Sequence, residues 1–359
     1  MIKLFSPVFD ELEIKNVEKT IKSGFWASGQ GVGNVLKFEK KFEKYTNSQE
    51  CVAVDSGTAA LHLALNVLDI NKKEVLVPSL TFVSTIHAIK YNGGIPVFVD
   101  VSPDTLCIDL IDLQKKITNK SKVILPVHFG GYPSNINKIN KIAKKNSLNV
   151  VEDAAHACGT TKNNRKIGSH SDFVCFSFHP VKNLAMPKGG AICINHKKAK
   201  MFKRKLNSLR WCGISDRKEV FYDISELGFN YYMDEISAGI GLEQLKKLDK
   251  LNKKRYNIAK RYNKEIKNVE KIPLNEECNY HLYWILVKNR DKFMKKMKQN
   301  KIETGIHYTP VHSMSFYKLN KKLLITDKVG KQIVTIPIHP QLTNKEISHI
   351  IKTINELTN

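Results

Sequence analysis

The chain of 359 residues lacks the features of several common protein classes. No apolar run approaches the ~20 residues that a membrane-spanning helix needs. The N-terminal stretch MIKLFSPVFDELEIKN has acids where a signal peptide would be apolar. The cysteines show no Cys-x-x-Cys or other metal spacing and are odd in number, which predicts reduced, buried thiols: Cys51, Cys107, Cys158, Cys175, Cys193, Cys212 and Cys278. We therefore expect a cytoplasmic protein with no metal site and no membrane contact.

Arginine is also scarce, although the net charge is +24. Only seven of the 58 basic residues are arginine, the side chain suited to bidentate contacts with phosphates and bases. The lysines alternate with apolar residues at helical spacing, as on the solvent faces of amphipathic helices: residues 138–145, 197–205, 246–254 and 292–301. This pattern predicts a lysine-rich surface and no nucleic-acid partner. The positive field still favours the approach of an anionic substrate.

A complete dinucleotide-binding fingerprint is missing as well. The stretch SGFWASGQGVG (23–33) is rich in glycine, but no strand precedes it and Asn34 occupies the last glycine position. The residues alone leave two interpretations open, an active-site loop and a plain connector.

The length and the order of segments predict an α/β protein of two domains. Short apolar runs alternate with amphipathic segments through the first part, which indicates a mostly parallel central sheet flanked by helices. A long helix begins near residue 233 and leads into segments of mixed type. We predict a large domain at 1–240 and a smaller α+β domain at 241–359.

Two residues at predicted strand ends carry the most informative chemistry. Asp153 follows the apolar run at 148–152, and Lys182 follows the run at 172–178 after the break at Pro180. Open α/β sheets bind ligands outside the carboxyl ends of their strands, so the two side chains should meet there. Pyridoxal phosphate needs such a pair, because a lysine holds its aldehyde as a Schiff base and an acid keeps its ring nitrogen protonated. An ordinary surface lysine and a strand-end aspartate remain the alternative.

A third feature is a predicted anion site. Ser56, Gly57 and Thr58 lie between a strand at 50–55 and the apolar helix AALHLAL. The free N–H groups and the dipole of a helix N-terminus attract anions there. A simple N-cap at Ser56 is the alternative.

With these stretches in view, the chain resembles the DegT/DnrJ/EryC1/StrS family of sugar aminotransferases, which have pyridoxal phosphate fold type I. The matching stretches occur in the family's order over nearly the whole chain: DSGTAALHLAL (55–65), VPSLTFVSTIHAI (77–89), PVFVDV (96–101), PVHFGGYPSNI (126–136), VVEDAAHACGT (150–160), FSFHPVKN (176–183), KGGAI (188–192) and LGFNYYMDEISAGIGLEQL (227–245).

The resemblance implies roles for individual residues. Lys182 would hold the cofactor and act as the catalytic base and acid, and Asp153 would pair with the ring nitrogen. Phe82 would stack on the ring, and His156 would lie near the ring substituents. The phosphate ligands would be Gly57, Thr58, Ser177 and, from the partner subunit, Asn230.

The resemblance also implies substrate contacts from two loops. One loop carries Trp26 and Ser28, and the other carries His307, Tyr308 and His312. For several of these residues, a surface or structural role is the alternative.

The expected function is transfer of an amino group from an amino acid, which the resemblance implies to be glutamate, to a nucleotide-linked keto-hexose for amino-sugar and surface polysaccharide biosynthesis. The enzyme would be a homodimer with shared active sites. One alternative is a sugar dehydratase of the same family, but those relatives have His where Lys182 stands. Another is a non-catalytic basic binding protein. Two positions depart from many relatives: Tyr232 replaces Arg, and Lys188 replaces Glu or Thr.

Overall fold

The structure is a computed structural model that describes residues 1–317 and 322–358. Its helices are α1 (Glu11–Lys22), α2 (Gly33–Thr46), α3 (Gly57–Asn66), α4 (Val83–Tyr91), α5 (Leu110–Lys116), α6 (Ile136–Lys145), α7 (Ala199–Arg210), α8 (Glu235–Glu265), α9 (Arg290–Gln299), α10 (Leu324–Gln332) and α11 (Asn344–Thr358). Its strands are β1 (Glu50–Val54), β2 (Glu74–Pro78), β3 (Ile95–Val99), β4 (Ser121–Ile124), β5 (Asn149–Asp153), β6 (Thr161–Lys162), β7 (Arg165–Lys166), β8 (Phe173–Ser177), β9 (Gly190–Ile194), β10 (Ile214–Lys218), β11 (Phe221–Ile224), β12 (Glu270–Lys271), β13 (Tyr283–Leu286) and β14 (Ile333–Ile336).

The centre of the molecule is a seven-stranded sheet in the order β1-β9-β8-β5-β4-β2-β3. All neighbouring pairs are parallel except those of β9, which runs antiparallel to both β1 and β8. Helices cover both faces, so the inner strands are buried on each side and consist of almost continuous apolar runs. The predicted mostly parallel sheet is confirmed.

A smaller sheet lies in the C-terminal part. Strands β12, β13 and β14 pair antiparallel, and their core includes Trp284, Ile350 and Ile258. Helix α8 runs through both parts, since its Leu242 packs in a core of the large sheet. The predicted boundary after residue 240 therefore falls inside a continuous helix, and the division into domains remains a proposal.

Local capping fixes where α1 begins, and charge ties it to α8. Asp10 accepts a hydrogen bond from the N–H of Leu12, and Glu13 accepts one from the N–H of Asp10, which is a capping box. Lys247 of α8 donates to Glu13 over 2.7 Å. Among the described residues, no helix combines the length and apolarity that crossing a membrane requires.

Candidate active site

A cavity of about 380 Å³ opens at the carboxyl ends of the parallel strands. The turn from β1 to α3, the start of α4, the end of β5 and the segment after β8 all contribute to its wall. Residues 307–308, from the C-terminal part, complete it. This is the position that open α/β sheets offer to ligands, because the strand ends leave a crevice there.

Asp153 ends β5 and is almost fully buried in the cavity wall. Its Oδ2 accepts a hydrogen bond of 2.8 Å from the hydroxyl of Thr85, and its Oδ1 accepts one of 3.1 Å from the N–H of Ala155. Burial raises the pKa of the carboxyl above its usual value, while the Thr85 bond opposes that rise. Each oxygen retains a free lone pair, so a cation or a protonated ring nitrogen beside it would be stabilised.

Lys182 lies in the wall of the same cavity, in the turn that follows β8. Its backbone N–H donates to the carbonyl of His179 over 2.8 Å, which closes the turn. Burial lowers the pKa of the ammonium to about 8, against the opposing attraction of Asp153. An appreciable fraction of the amine is therefore neutral near pH 8, and only the neutral amine is a nucleophile or a base. The predicted convergence of Lys182 and Asp153 is confirmed.

One end of the cavity is suited to an anion. Ser56 caps α3, with its hydroxyl accepting from the N–H of Ala59, and Gly57, Thr58 and Ser177 line the wall beside it. A Cβ at Gly57 would lie 2.7 Å from the Cβ of Ser177, so only glycine allows this close approach. Backbone N–H groups at the start of a ten-residue helix therefore face the cavity with two hydroxyls nearby.

Aromatic and histidine side chains form the opposite part of the wall. Phe82, His156, His307 and Tyr308 all line the cavity, and the rings of Phe82 and Tyr308 are 5.8 Å apart. Nδ1 of His156 accepts from the N–H of Gly130 over 3.3 Å, so Nε2 carries the proton and donates to the Tyr308 hydroxyl over 3.1 Å. Burial lowers the pKa of His156 well below its usual value and keeps the ring neutral.

His307 is held from the side opposite Lys182. Its Nδ1 lies 2.7 Å from the hydroxyl of Thr335 on β14. Burial lowers the pKa of His307 to about 4, and the charge of nearby Lys182 adds to the effect. The ring is therefore neutral at physiological pH. It can form hydrogen bonds with a ligand, but it carries no charge that would attract an anion.

Four of the predicted residues do not line this cavity. Trp26 is exposed and donates to the carbonyl of Ile21, while Ser28 is half-buried and accepts from the N–H of Gln30. Asn230 is exposed, in a bridge that pairs its backbone with Trp211. Trp26, Ser28 and Asn230 are thus available to a second subunit, and their roles stay predictions.

His312 is the fourth, and its surroundings give it a structural position. The ring is buried, with Nδ1 at 2.6 Å from the Ser79 hydroxyl and Nε2 at 2.9 Å from Oδ1 of Asp327. Both ring nitrogens are therefore occupied by protein partners away from the cavity. Its contact with a substrate stays a prediction.

The structure also adds residues that were not among the predicted ligands and catalytic groups. Phe5 reaches the cavity from the N-terminal segment and stacks on His281 with ring centres 5.8 Å apart. Asp55 and Lys188 line the mouth as an ion pair of 2.6 Å. Phe5 is 148 residues from Asp153 along the chain, so no local pattern could have connected them. Lys188 was named from the sequence only as a departure from the family pattern, without a role.

These residues fit pyridoxal phosphate. The cavity has an amine of lowered pKa, a fixed carboxylate, an aromatic wall and an N–H-rich end, which match the aldehyde, the ring nitrogen, the ring face and the phosphate. Its volume lies in the range of small-molecule sites. The glycine at 57 leaves space that any side chain would fill.

Known proteins agree with this chemistry. A family model described as the DegT/DnrJ/EryC1/StrS aminotransferase family matches residues 7–355. The chain is 32% identical to GDP-perosamine synthase of Escherichia coli O157:H7, over 99% of this chain and 98% of that protein. It is 31% identical to spore coat polysaccharide biosynthesis protein SpsC of Bacillus subtilis, over 98% and 95% of the two chains.

A solved structure supports the same assignment. The PLP form of Spr1654 from Streptococcus pneumoniae, assigned as a sugar aminotransferase, superposes with a TM-score of 0.94 at 27% identity. The similarity covers 99% of this chain and 98% of that one. The match in fold thus extends over the cavity and over the segments that build it. The chain belongs to the DegT/DnrJ/EryC1/StrS aminotransferase family and is a pyridoxal phosphate-dependent sugar aminotransferase.

Proposed function

We propose that the protein transfers the amino group of glutamate to the keto carbon of a nucleotide-linked hexose, in amino-sugar and surface polysaccharide biosynthesis. The names of two relatives support this choice, since one is a GDP-perosamine synthase and the other a spore coat polysaccharide biosynthesis protein. The net charge of +24 favours the approach of an anionic nucleotide substrate.

The observation that carries the proposal is the convergence of Lys182 and Asp153 in one cavity beside an anion site. A sugar dehydratase of the same family would have His in place of Lys182. A non-catalytic binding protein would have no use for a buried amine whose pKa is lowered to about 8. The transferase is therefore the function that these residues support best.

Pyridoxal phosphate, once bound, supplies a reactive aldehyde and an electron-withdrawing ring. Lys182 would hold the aldehyde carbon through Nζ in the resting enzyme. When a substrate amine displaces it, the freed Nζ would remove a proton from one carbon and return it to another. A pKa near 8 suits both directions, because the amine and the ammonium are then both populated at neutral pH.

Asp153 would hold the proton on the ring nitrogen, and its two hydrogen bonds keep it oriented for that task. Phe82 would cover one face of the ring. His156 would lie near the ring substituents and is itself oriented by the hydrogen bond that it accepts from Gly130. The phosphate would bind at the start of α3, with Gly57, Thr58 and Ser177 as its ligands within one subunit.

The proposed enzyme is a homodimer with shared active sites. Asn230 would reach the phosphate of the partner's cofactor, which agrees with its exposure and its position outside the cavity of its own subunit. The hairpin of β10 and β11 exposes Val220, Phe221 and Tyr222, apolar area that a second copy could cover. Trp26 and Ser28, on the loop before α2, would contact the sugar from this shared side, and His307 and Tyr308 would contact it from within.

A substrate panel tests the proposal. Purified enzyme with pyridoxal phosphate and glutamate is offered GDP-, UDP- and TDP-linked hexoses with the keto group at C3 or C4. We expect one of them to yield an amino sugar and an equal amount of 2-oxoglutarate, measured by mass spectrometry, with Lys182→Ala as the inactive control. Amination of none of the panel, with glutamate or with other amino acids, would reject the substrate class.

A further inference from the structure

We propose that Lys188 is a phosphate-binding residue that leaves Asp55 when a phosphorylated ligand enters the cavity. The inference rests on the proposed function, because the ligand phosphate belongs either to the cofactor or to the nucleotide-linked sugar. In either case, the group that Lys188 would bind is a phosphate anion beside the start of α3.

The first argument is the charge of the cavity wall. Among the described residues that line it, only Lys182 and Lys188 are lysine or arginine, and Asp55 and Asp153 are acidic. Lys182 is committed to the aldehyde carbon, so its charge is not available to a phosphate. The histidines of the wall cannot substitute, since burial lowers the pKa of His156, of His179 and of His307. Lys188 is therefore the one lysine or arginine of this described wall that can neutralise a bound phosphate.

The second argument is position. Gly189, the next residue, forms a bridge with Ser56, and a Cβ at Gly190 would lie 2.4 Å from the Ser56 carbonyl oxygen. The backbone beside Lys188 is thus packed directly against the turn that starts α3. Phe178 donates from its N–H to the carbonyl of Gly189 over 2.8 Å and fixes this segment from the other side. Because the backbone is fixed at this point, the Lys188 side chain can reach the anion end of the cavity.

The third argument is the character of its present partner. Nζ of Lys188 lies 2.6 Å from Oδ2 of Asp55, and the lysine side chain is 64% exposed. The Asp55 side chain is 16% exposed, but the lysine side chain lies largely in solvent, so the pair contributes little to stability and a ligand of higher charge can displace it. The other oxygen of Asp55 accepts from the Ser56 hydroxyl over 2.9 Å and stays anchored. Asp55 thus holds the lysine at the mouth while the site is free, without preventing its transfer to a phosphate.

The test measures ligand binding to the apoenzyme and needs no turnover. Pyridoxal phosphate is compared with pyridoxal, which lacks the phosphate, and with GDP, UDP and TDP as nucleotide probes. We expect Lys188→Met to weaken binding of a phosphorylated ligand about tenfold, as loss of a charged hydrogen bond does, and to leave pyridoxal unchanged. An effect on pyridoxal phosphate identifies the cofactor phosphate, and an effect confined to the nucleoside diphosphates identifies the substrate. Lys188→Arg should bind like the wild type.

Lys246 provides a matched control, because it pairs with Glu243 at 2.7 Å with a similar exposure of 55% and lies outside this cavity. Lys246→Met should change no affinity. Equal effects of Lys188→Met and Lys246→Met, or no effect of either, would overturn the proposal. If Lys188→Met does not fold, Lys188→Gln compared with Lys188→Arg gives the same contrast.

Measurements in an Asp55→Asn protein separate direct binding of phosphate by Lys188 from simple shielding of the Asp55 charge. If Lys188 only screens the Asp55 carboxylate, its removal in an Asp55→Asn protein costs no affinity, and the proposal is wrong. If it binds phosphate, Lys188→Met weakens binding in the Asp55→Asn protein as well. Neither result depends on which sugar is aminated, so a failed substrate panel and a failed role of Lys188 are distinguishable.

Discussion

The hydroxyl of Thr85 donates a hydrogen bond of 2.8 Å to Oδ2 of Asp153, and the Thr81 hydroxyl lies 2.8 Å from that of Thr85. All three side chains are buried. Because the Thr85 proton is committed to the carboxylate, Thr81 must donate to Thr85. Thr85, near the start of α4, therefore orients Asp153 at the end of β5, at the edge of the sheet where the cavity lies.

This relationship predicts that Thr85→Val lowers turnover about tenfold, since a hydrogen bond to a charged group is lost and the carboxylate can rotate. The pKa of Asp153 should rise further, because the Thr85 bond opposes the effect of burial. Steady-state rates over a range of pH measure both changes. Thr353→Val changes a buried threonine of α11 and is the control for the effect of replacing a buried threonine by valine. Equal rates in the two variants would contradict an orienting role.

Lys182→Ala should abolish transamination while the protein remains folded, with a loss of at least about a thousandfold. Lys182→Arg should be equally inactive, because a guanidinium stays protonated and cannot attack the aldehyde. Rate measurements and circular dichroism together check the prediction. Normal turnover by either variant would show that Lys182 is not the residue that holds the cofactor.

Asp153→Asn should reduce the rate by a factor of about 100 or more, as loss of one transition-state charge contact does. A neutral amide cannot hold the ring nitrogen in its protonated form. Thermal denaturation should show a much smaller effect, because the amide oxygen can still accept from Ala155 and the amide NH2 can donate to the Thr85 hydroxyl, which then donates to Thr81. Turnover within about twofold of the wild type would contradict the assignment.

Capture of pyridoxal phosphate by the apoenzyme should depend on pH with a midpoint near 8. Burial lowers the pKa of Lys182 to about 8, so the ammonium, which cannot attack, predominates below that pH and the free amine above it. The rate constant should rise about tenfold between pH 7 and 9, with only about a twofold rise from pH 8 to 9, and then level off. Stopped-flow absorbance of the bound cofactor provides the measurement. A rate that rises nearly tenfold between pH 8 and 9 would indicate an ordinary exposed lysine.

Mixing two inactive proteins tests the shared site. Lys182→Ala and Asn230→Asp subunits are combined and allowed to exchange. If Asn230 serves the partner's site, each mixed dimer has one site with both lesions and one intact site, so about a quarter of wild-type activity should return. Mixed dimers that form without recovering activity would show that Asn230 acts within its own subunit or only in structure.

The sequence was informative where chemistry and local pattern coincide. The apolar runs ending at Asp153 and before Lys182 predicted two strands whose ends bring these side chains together, and β5 and β8 do pair, with Asp153 opposite Cys175. The hairpin of β10 and β11 was not predicted. All four residues of β11 are exposed, so this strand has no alternation of buried and exposed positions that would indicate it.

What the sequence by itself determined is the fold class and the two strand ends that carry Asp153 and Lys182, since apolar runs and the residues that follow them are local properties. Only the tertiary structure added Phe5 to the cavity wall, because Phe5 lies 148 residues from Asp153 along the chain. His312 and His307, five residues apart, differ in their surroundings, because Ser79 and Asp327 contact the His312 ring while His307 lines the cavity. Packing sets the partners of a side chain, and packing brings together residues that no spacing along the chain connects.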